Sequence, residues 1–129
     1  MSAPELKSLL ICDQVLQAVG SNKWYILGVY DRLIVDELPA LGSIGVYVKM
    51  ADVPEKFKAK FEVRDADDNT VSSVEAMVRA IEFMPGKRLS ELGLQSAILI
   101  KELGLYHIVI FVDNQIVGMA PIAVVKEKP

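Results

Sequence analysis

Nine residues from Lys56 to Arg64 alternate without a break. Phe57, Ala59, Phe61 and Val63 are apolar, and Lys56, Lys58, Lys60, Glu62 and Arg64 are charged. A period of two belongs to a β-strand, whose successive side chains point to opposite faces of its sheet. One charged and one apolar face suits an antiparallel sheet with water on one side and a core on the other. The apolar face needs a covering layer, which a lone strand or hairpin does not supply. The lysines at spacing two read as protection of a solvated edge strand. They are no nucleic-acid surface, because 14 basic and 17 acidic residues leave a net charge of −3 and no dense basic patch.

The rest of the chain keeps the same habit. Turn residues recur every ten or so positions, with β-branched and aromatic residues between them, which points to an all-β antiparallel sandwich. Strands are expected at 8–16, 24–34, 44–51, 89–95, 97–101, 105–112 and 116–125, besides the alternating segment. Turns are expected at Gly20-Ser21-Asn22, Asp113-Asn114-Gln115 and Pro85-Gly86, and a tail at 126–129. Pro121 suggests an edge or a bulge in the last strand. Segment 70–84 has two readings. Its place after a tight turn favours a hairpin strand. Its apolar spacing (Val71, Val74, Met77, Val78, Ile81), with Ser72 and Glu75 as a capping box, favours a short helix at 72–82.

Bulk numbers set the class. At 129 residues and 52% apolar, the chain makes one domain and is too rich in apolar surface for disorder. A single cysteine, Cys12, excludes a disulfide within the chain. It lies in an apolar run and is expected to be buried and inert. Residues 1–7 lack a basic segment leading into an apolar one, so no secretory signal is expected. No apolar run approaches the ~18 residues of a membrane helix. A cytoplasmic protein without membrane or nucleic-acid partners is the expectation.

Gly104-Leu105-Tyr106 opens the strand before the final hairpin. It resembles the tyrosine corner of immunoglobulin-like sandwiches, in which a tyrosine hydroxyl bonds to upstream backbone. A wider resemblance rests on Leu9-Leu10-Ile11-Cys12-Asp13-Gln14-Val15, on Trp24 through Arg32 and on Val46-Tyr47-Val48-Lys49. Together with Gly104-Leu105-Tyr106, these stretches resemble a bacterial family of short single-domain β-sandwich proteins of uncharacterised function. The resemblance implies an immunoglobulin-like sandwich, with seven to nine strands expected. It brings no catalytic, cofactor or metal residues.

Chemistry is sparse. The only histidine, His107, sits among apolar residues, and with one cysteine it gives no zinc set. No phosphate loop or nucleophile elbow is present. No enzyme, cofactor or metal is expected. Asp65, Asp67 and Asn69 have the spacing that opens a calcium loop, but Thr70 stands where glycine is needed and Ala76 where glutamate is needed. The strand directions place the Asp36-Glu37 loop at the same end of the sandwich. A small-ligand or cation site built from these end loops is therefore the second functional reading, and a solvated turn is the plainer one.

Strand parity gives the leading reading. With Tyr106, Ile108, Ile110 and Val112 facing in, His107, Val109 and Phe111 face out. Val117 and Met119 would join them from the last strand, and Tyr25, Leu27 and Val29 from the second. One sheet then carries apolar residues on both faces, which sandwiches normally avoid. A helix at 72–82 would cover the outer face from within. A second copy or another protein would cover it from outside, since monomers seldom expose large apolar patches. The expected role is a non-catalytic interaction module, a homo-oligomer, in which Phe111→Asp breaks assembly without breaking the fold.

Overall fold

The computed structural model describes residues 3–21 and 23–127. Residues 1, 2, 22, 128 and 129 lie outside the described residues, and with them part of the Gly20-Ser21-Asn22 turn, the start of the 1–7 segment and the end of the tail. The described chain folds into ten strands and no helix. They are β1 (Glu5–Gln17), β2 (Trp24–Val29), β3 (Arg32–Val35), β4 (Ala40–Ala51), β5 (Lys56–Arg64), β6 (Thr70–Arg79), β7 (Ile81–Met84), β8 (Lys87–Ile100), β9 (Gly104–Val112) and β10 (Gln115–Lys126). Sheet A has the order β2-β1-β4-β8-β7, and sheet B the order β3-β10-β9-β5-β6. The sequences β1-β4-β8-β7 and β5-β9-β10 repeat the ABED and CFG arrangement of immunoglobulin domains, with β6 in the added position beside the C strand. All the pairings are antiparallel except β3 with β10, which is parallel.

The alternating segment does what its pattern demands. Phe57, Ala59, Phe61 and Val63 are at most 1% exposed and enter one core with Ile44, Val46, Val48, Met50, Ile108 and Ile110. Burying each large apolar side chain contributes about 1.5–3 kcal/mol. β5 is not an edge strand, however: β6 and β9 pair with it on either side. Its lysines therefore cannot be edge protection.

Three further boundaries differ from the sequence pattern. Segment 24–34 is not one strand. β2 pairs with β1 in sheet A, and β3 pairs with β10 in sheet B. Gly28, at φ +69°, breaks the extended backbone just before the crossing. Segment 70–84 is likewise split, β6 to sheet B and β7 to sheet A, with Ala80 between them. The helix reading fails because the segment pairs with β5 as a strand: of the helical stripe, Val74, Met77 and Val78 stand opposite Phe61, Lys58 and Phe57, and Ile81 pairs with Leu89 in the other sheet. Segments 89–95 and 97–101 form one long strand, β8, which ends at Ile100 and pairs with β4 from Leu89 to Ile100. With these splits the strand number reaches ten rather than seven to nine.

Tyr106 is the tyrosine corner in fact: its hydroxyl donates to the Glu102 carbonyl at 2.7 Å. Pro121 lies in the part of β10 that precedes the β3 pairing, which starts at Ala123, so its missing N–H faces no strand there.

β1 changes partner along its length. Glu5 to Cys12 pair with β4, and Cys12 to Gln17 pair with β2. Beyond Cys12 the hairpin lifts off β4 and lies over the outside of sheet A. The Gln95 side chain takes the place of the lost ladder. Its Nε2 donates to the Asp13 carbonyl at 2.8 Å, and its Oε1 accepts from the Val15 N–H at 3.2 Å. Gly93 makes the close approach possible, since a Cβ there would come within 2.7 Å of the Trp24 ring. Trp24 in turn meets Tyr47 edge to face, with ring centroids 6.5 Å apart.

Candidate functional site

Sheet B has an outer face of two unlike halves. On β5, Lys60, Glu62 and Arg64 form a charged rail. Glu62 accepts from Arg64 through Oε1 at 2.9 Å and lies 3.3 Å from the Lys60 ammonium through Oε2. Burial alone would raise the Glu62 carboxyl. The hydrogen bonds and charges of Arg64 and Lys60 outweigh it and hold that carboxyl below the ordinary carboxylate value. On β3, β10 and β9 the same face is apolar. Ile34 stands beside Val125, Met119 beside Val109 and Ile116 beside Phe111, while Leu105 pairs with Ala123. Ile34, Leu105, Ile116 and Met119 are each about half exposed or more. Among the described residues, no helix covers them.

The candidate residues fall into three groups. His107, Val109 and Phe111 do face outward, opposite Arg64, Glu62 and Lys60. Yet Val109 is 1% and Phe111 8% exposed. The Lys60 ammonium lies 4.5 Å from the Phe111 ring centre and the Arg64 guanidinium 5.8 Å from it. The aliphatic stems of the rail roof the stripe, a cover that apolar parity does not reveal. Met119 is exposed, as expected. Val117 is not on this face. A bulge between Ile116 and Gly118 slips the alternation by one. Val117 packs against the core and Ile116 takes the outer position instead.

Tyr25, Leu27 and Val29 form the third group. They are exposed, but on β2 in sheet A, the opposite sheet. The expectation of one continuous face fails here, because the chain crosses between sheets after Val29. The parity rule also missed Ile34 and Leu105. A polar–apolar count could have found Ile34; its parallel partner Val125 is 91 positions away and is invisible to local pattern.

The acidic loops do share one end of sheet B, as strand direction requires. They stand three strands apart, about 14 Å at ordinary strand spacing. The Asp65 carboxylate is engaged in its own turn, accepting from the N–H groups of Asp67 and Asn69 at 3.0 and 2.9 Å. Among the described residues, no three His, Cys, Asp or Glu side chains come together as a metal set. Cys12 is buried, and that burial raises its thiol pKa. A cleft of about 590 Å³ opens at the other end, between Val53, Val112, Arg88 and Asp113. Arg88 is paired with Glu82 at 3.5 Å, and Asp113 accepts from the Lys58 N–H. Among the described residues, no helix is long and apolar enough to cross a membrane.

Known proteins add little detail. No curated protein matches the chain. Among solved structures, an immunoglobulin-like protein from Pseudomonas aeruginosa is similar, at 9% identity and a TM-score of 0.41, over 95% of this chain and 97% of that one. Residues 7–125 match the model of a family of unknown function, DUF6941, and the chain belongs to that family.

Proposed function

We propose that the chain is a non-catalytic interaction module that self-associates through the outer face of sheet B. One observation carries the reading: Ile34, Leu105, Ile116 and Met119 lie exposed on a single sheet face whose other half is charged. The apolar half runs from the edge strand β3 to β9 and is bordered by paired charges on β5 alone, an apolar patch with a polar rim on one side. Size fits as well. Five strands at about 4.8 Å and nine residues at about 3.3 Å give a face of roughly 700 Å², near the ~800 Å² a side of a standard interface. The clefts beside Val53 and Arg88 and beside Gln95 are not lined by Ile34, Leu105, Ile116 or Met119, and an open sheet face suits a second protein surface better than a small molecule.

The test is solution mass by size-exclusion chromatography with light scattering, on the wild type and on Met119→Asp. Phe111→Asp is unsuitable, because that ring is covered within one chain.

A further inference from the structure

The charges on the outer face of sheet B are sorted by place. On β5, Lys56, Lys58, Lys60 and Arg64 stand against the single carboxylate Glu62, and Arg79 and Glu75 beside them on β6 cancel. The opposite corner of the face is acidic. β3 and β10 run parallel there, with Ile34 beside Val125, and the Glu127 N–H donates to the Val35 carbonyl, continuing the ladder. Strand alternation puts Asp36 and Glu127 outward, beyond Ile34 and Val125, and turns Lys126 to the other face. By hydrogen bond and by charge, the Asp36 carboxyl holds that of Glu127 above its ordinary value. Among the described residues, neither carboxyl group makes an ion pair.

The two corners cannot meet within one copy. Arg64 stands opposite His107, and His107 opposite Pro121. Asp36 therefore lies three strands across and six residues along from Arg64, about 24 Å away at ordinary strand spacing. Ile34, Val125 and Leu105 occupy the ground between.

We propose that two copies dock by exchange: the Asp36–Glu127 corner of each meets the Lys60–Arg64 rail of the other, about a two-fold axis through the apolar ground between. A two-fold axis lying in the contact plane swaps two places on one face, so both pairings form at once. Charge chooses among the ways of laying one apolar half on another. Rail on rail sets cations against cations, and corner on corner sets carboxylates against carboxylates, so both registers are selected against. Exchange also brings the partner's rail to the β3 side, where the apolar patch has no rim of its own. The inference rests on association through sheet B and fixes how that face docks.

The test is mass by light scattering on wild type, Met119→Asp, Arg64→Glu and the double variant Asp36→Lys, Glu127→Lys. Arg64→Glu and the double variant should each fall to one chain mass. Their equimolar mixture should return to two, because one pairing is then reversed, the other is native, and both join opposite charges. Wild-type association should weaken about tenfold between about 0.05 and 0.5 M salt. Reversal variants that keep the wild-type mass, or a folded pair whose mixture stays at one chain mass, overturn the exchange even where Met119→Asp is monomeric. Should a reversal variant lose its circular-dichroism signature, the wild type decides, and association indifferent to salt overturns the exchange. Met119→Asp at the wild-type mass, or wild type at one chain mass, overturns the sheet B reading and the exchange with it.

Discussion

The ammonium of Lys60 stands 4.5 Å over the ring of Phe111, from the neighbouring strand of the same sheet. That contact divides the outer face of sheet B into a covered part and an open part. Phe111→Asp would place a carboxylate beneath the rail and remove a buried ring, at a cost of about 3–5 kcal/mol. Met119→Asp, at a site 55% exposed, should change stability by less than about 1 kcal/mol. Thermal unfolding at a concentration where both are monomeric checks the contrast.

Glu62 ties the rail together, and its carboxyl is held below the ordinary range. A lowered folded-state pKa contributes stability that is complete above the unfolded value, about 4.3 for glutamate, and is lost as pH falls from there through the folded value. Denaturant titrations between pH 7 and pH 3 should show Glu62→Gln less stable than wild type at neutral pH. The gap should close as the medium becomes acid. A gap that stays constant with pH would contradict the ion-pair account.

The Tyr106 hydroxyl bridges to the Glu102 carbonyl at 2.7 Å. Tyr106→Phe keeps the buried ring and removes that bond, so the expected cost is about 1 kcal/mol. Equilibrium unfolding measures it, and oligomer mass should not change.

Gln95 clips the lifted half of β1 to β8 through Asp13 and Val15. Gln95→Leu should cost about 1–2 kcal/mol and leave the Val15 N–H without its acceptor. Hydrogen exchange should speed up at Val15 and in β2, and not in β5 or β9. Gly93→Val should act on the same hairpin by steric conflict with Val15 and Trp24, at about 1–3 kcal/mol.

What the sequence made legible follows the range of each signal. β5 and β9 alternate in place, so their bounds and inward faces were readable from Phe57–Val63 and from Tyr106–Val112. The tyrosine corner was readable because its partner is four residues away. Sheet changes were not. Gly28 and Asp31 mark a break between β2 and β3, but neither they nor Ala80 say that the flanking strands, β2 and β3 or β6 and β7, belong to different sheets. Of the candidate site, Met119 and His107 kept their outward places. Val117 lost its place to a one-residue bulge, and Val109 and Phe111 are covered by side chains from β5, a strand some fifty positions earlier.

The most direct test of the central claim is the mass of the wild-type chain and of Met119→Asp by light scattering across a range of concentrations. Association through sheet B predicts at least two chain masses for the wild type and one for Met119→Asp, with both folded. A wild type that remains at one chain mass at the highest concentration would contradict it.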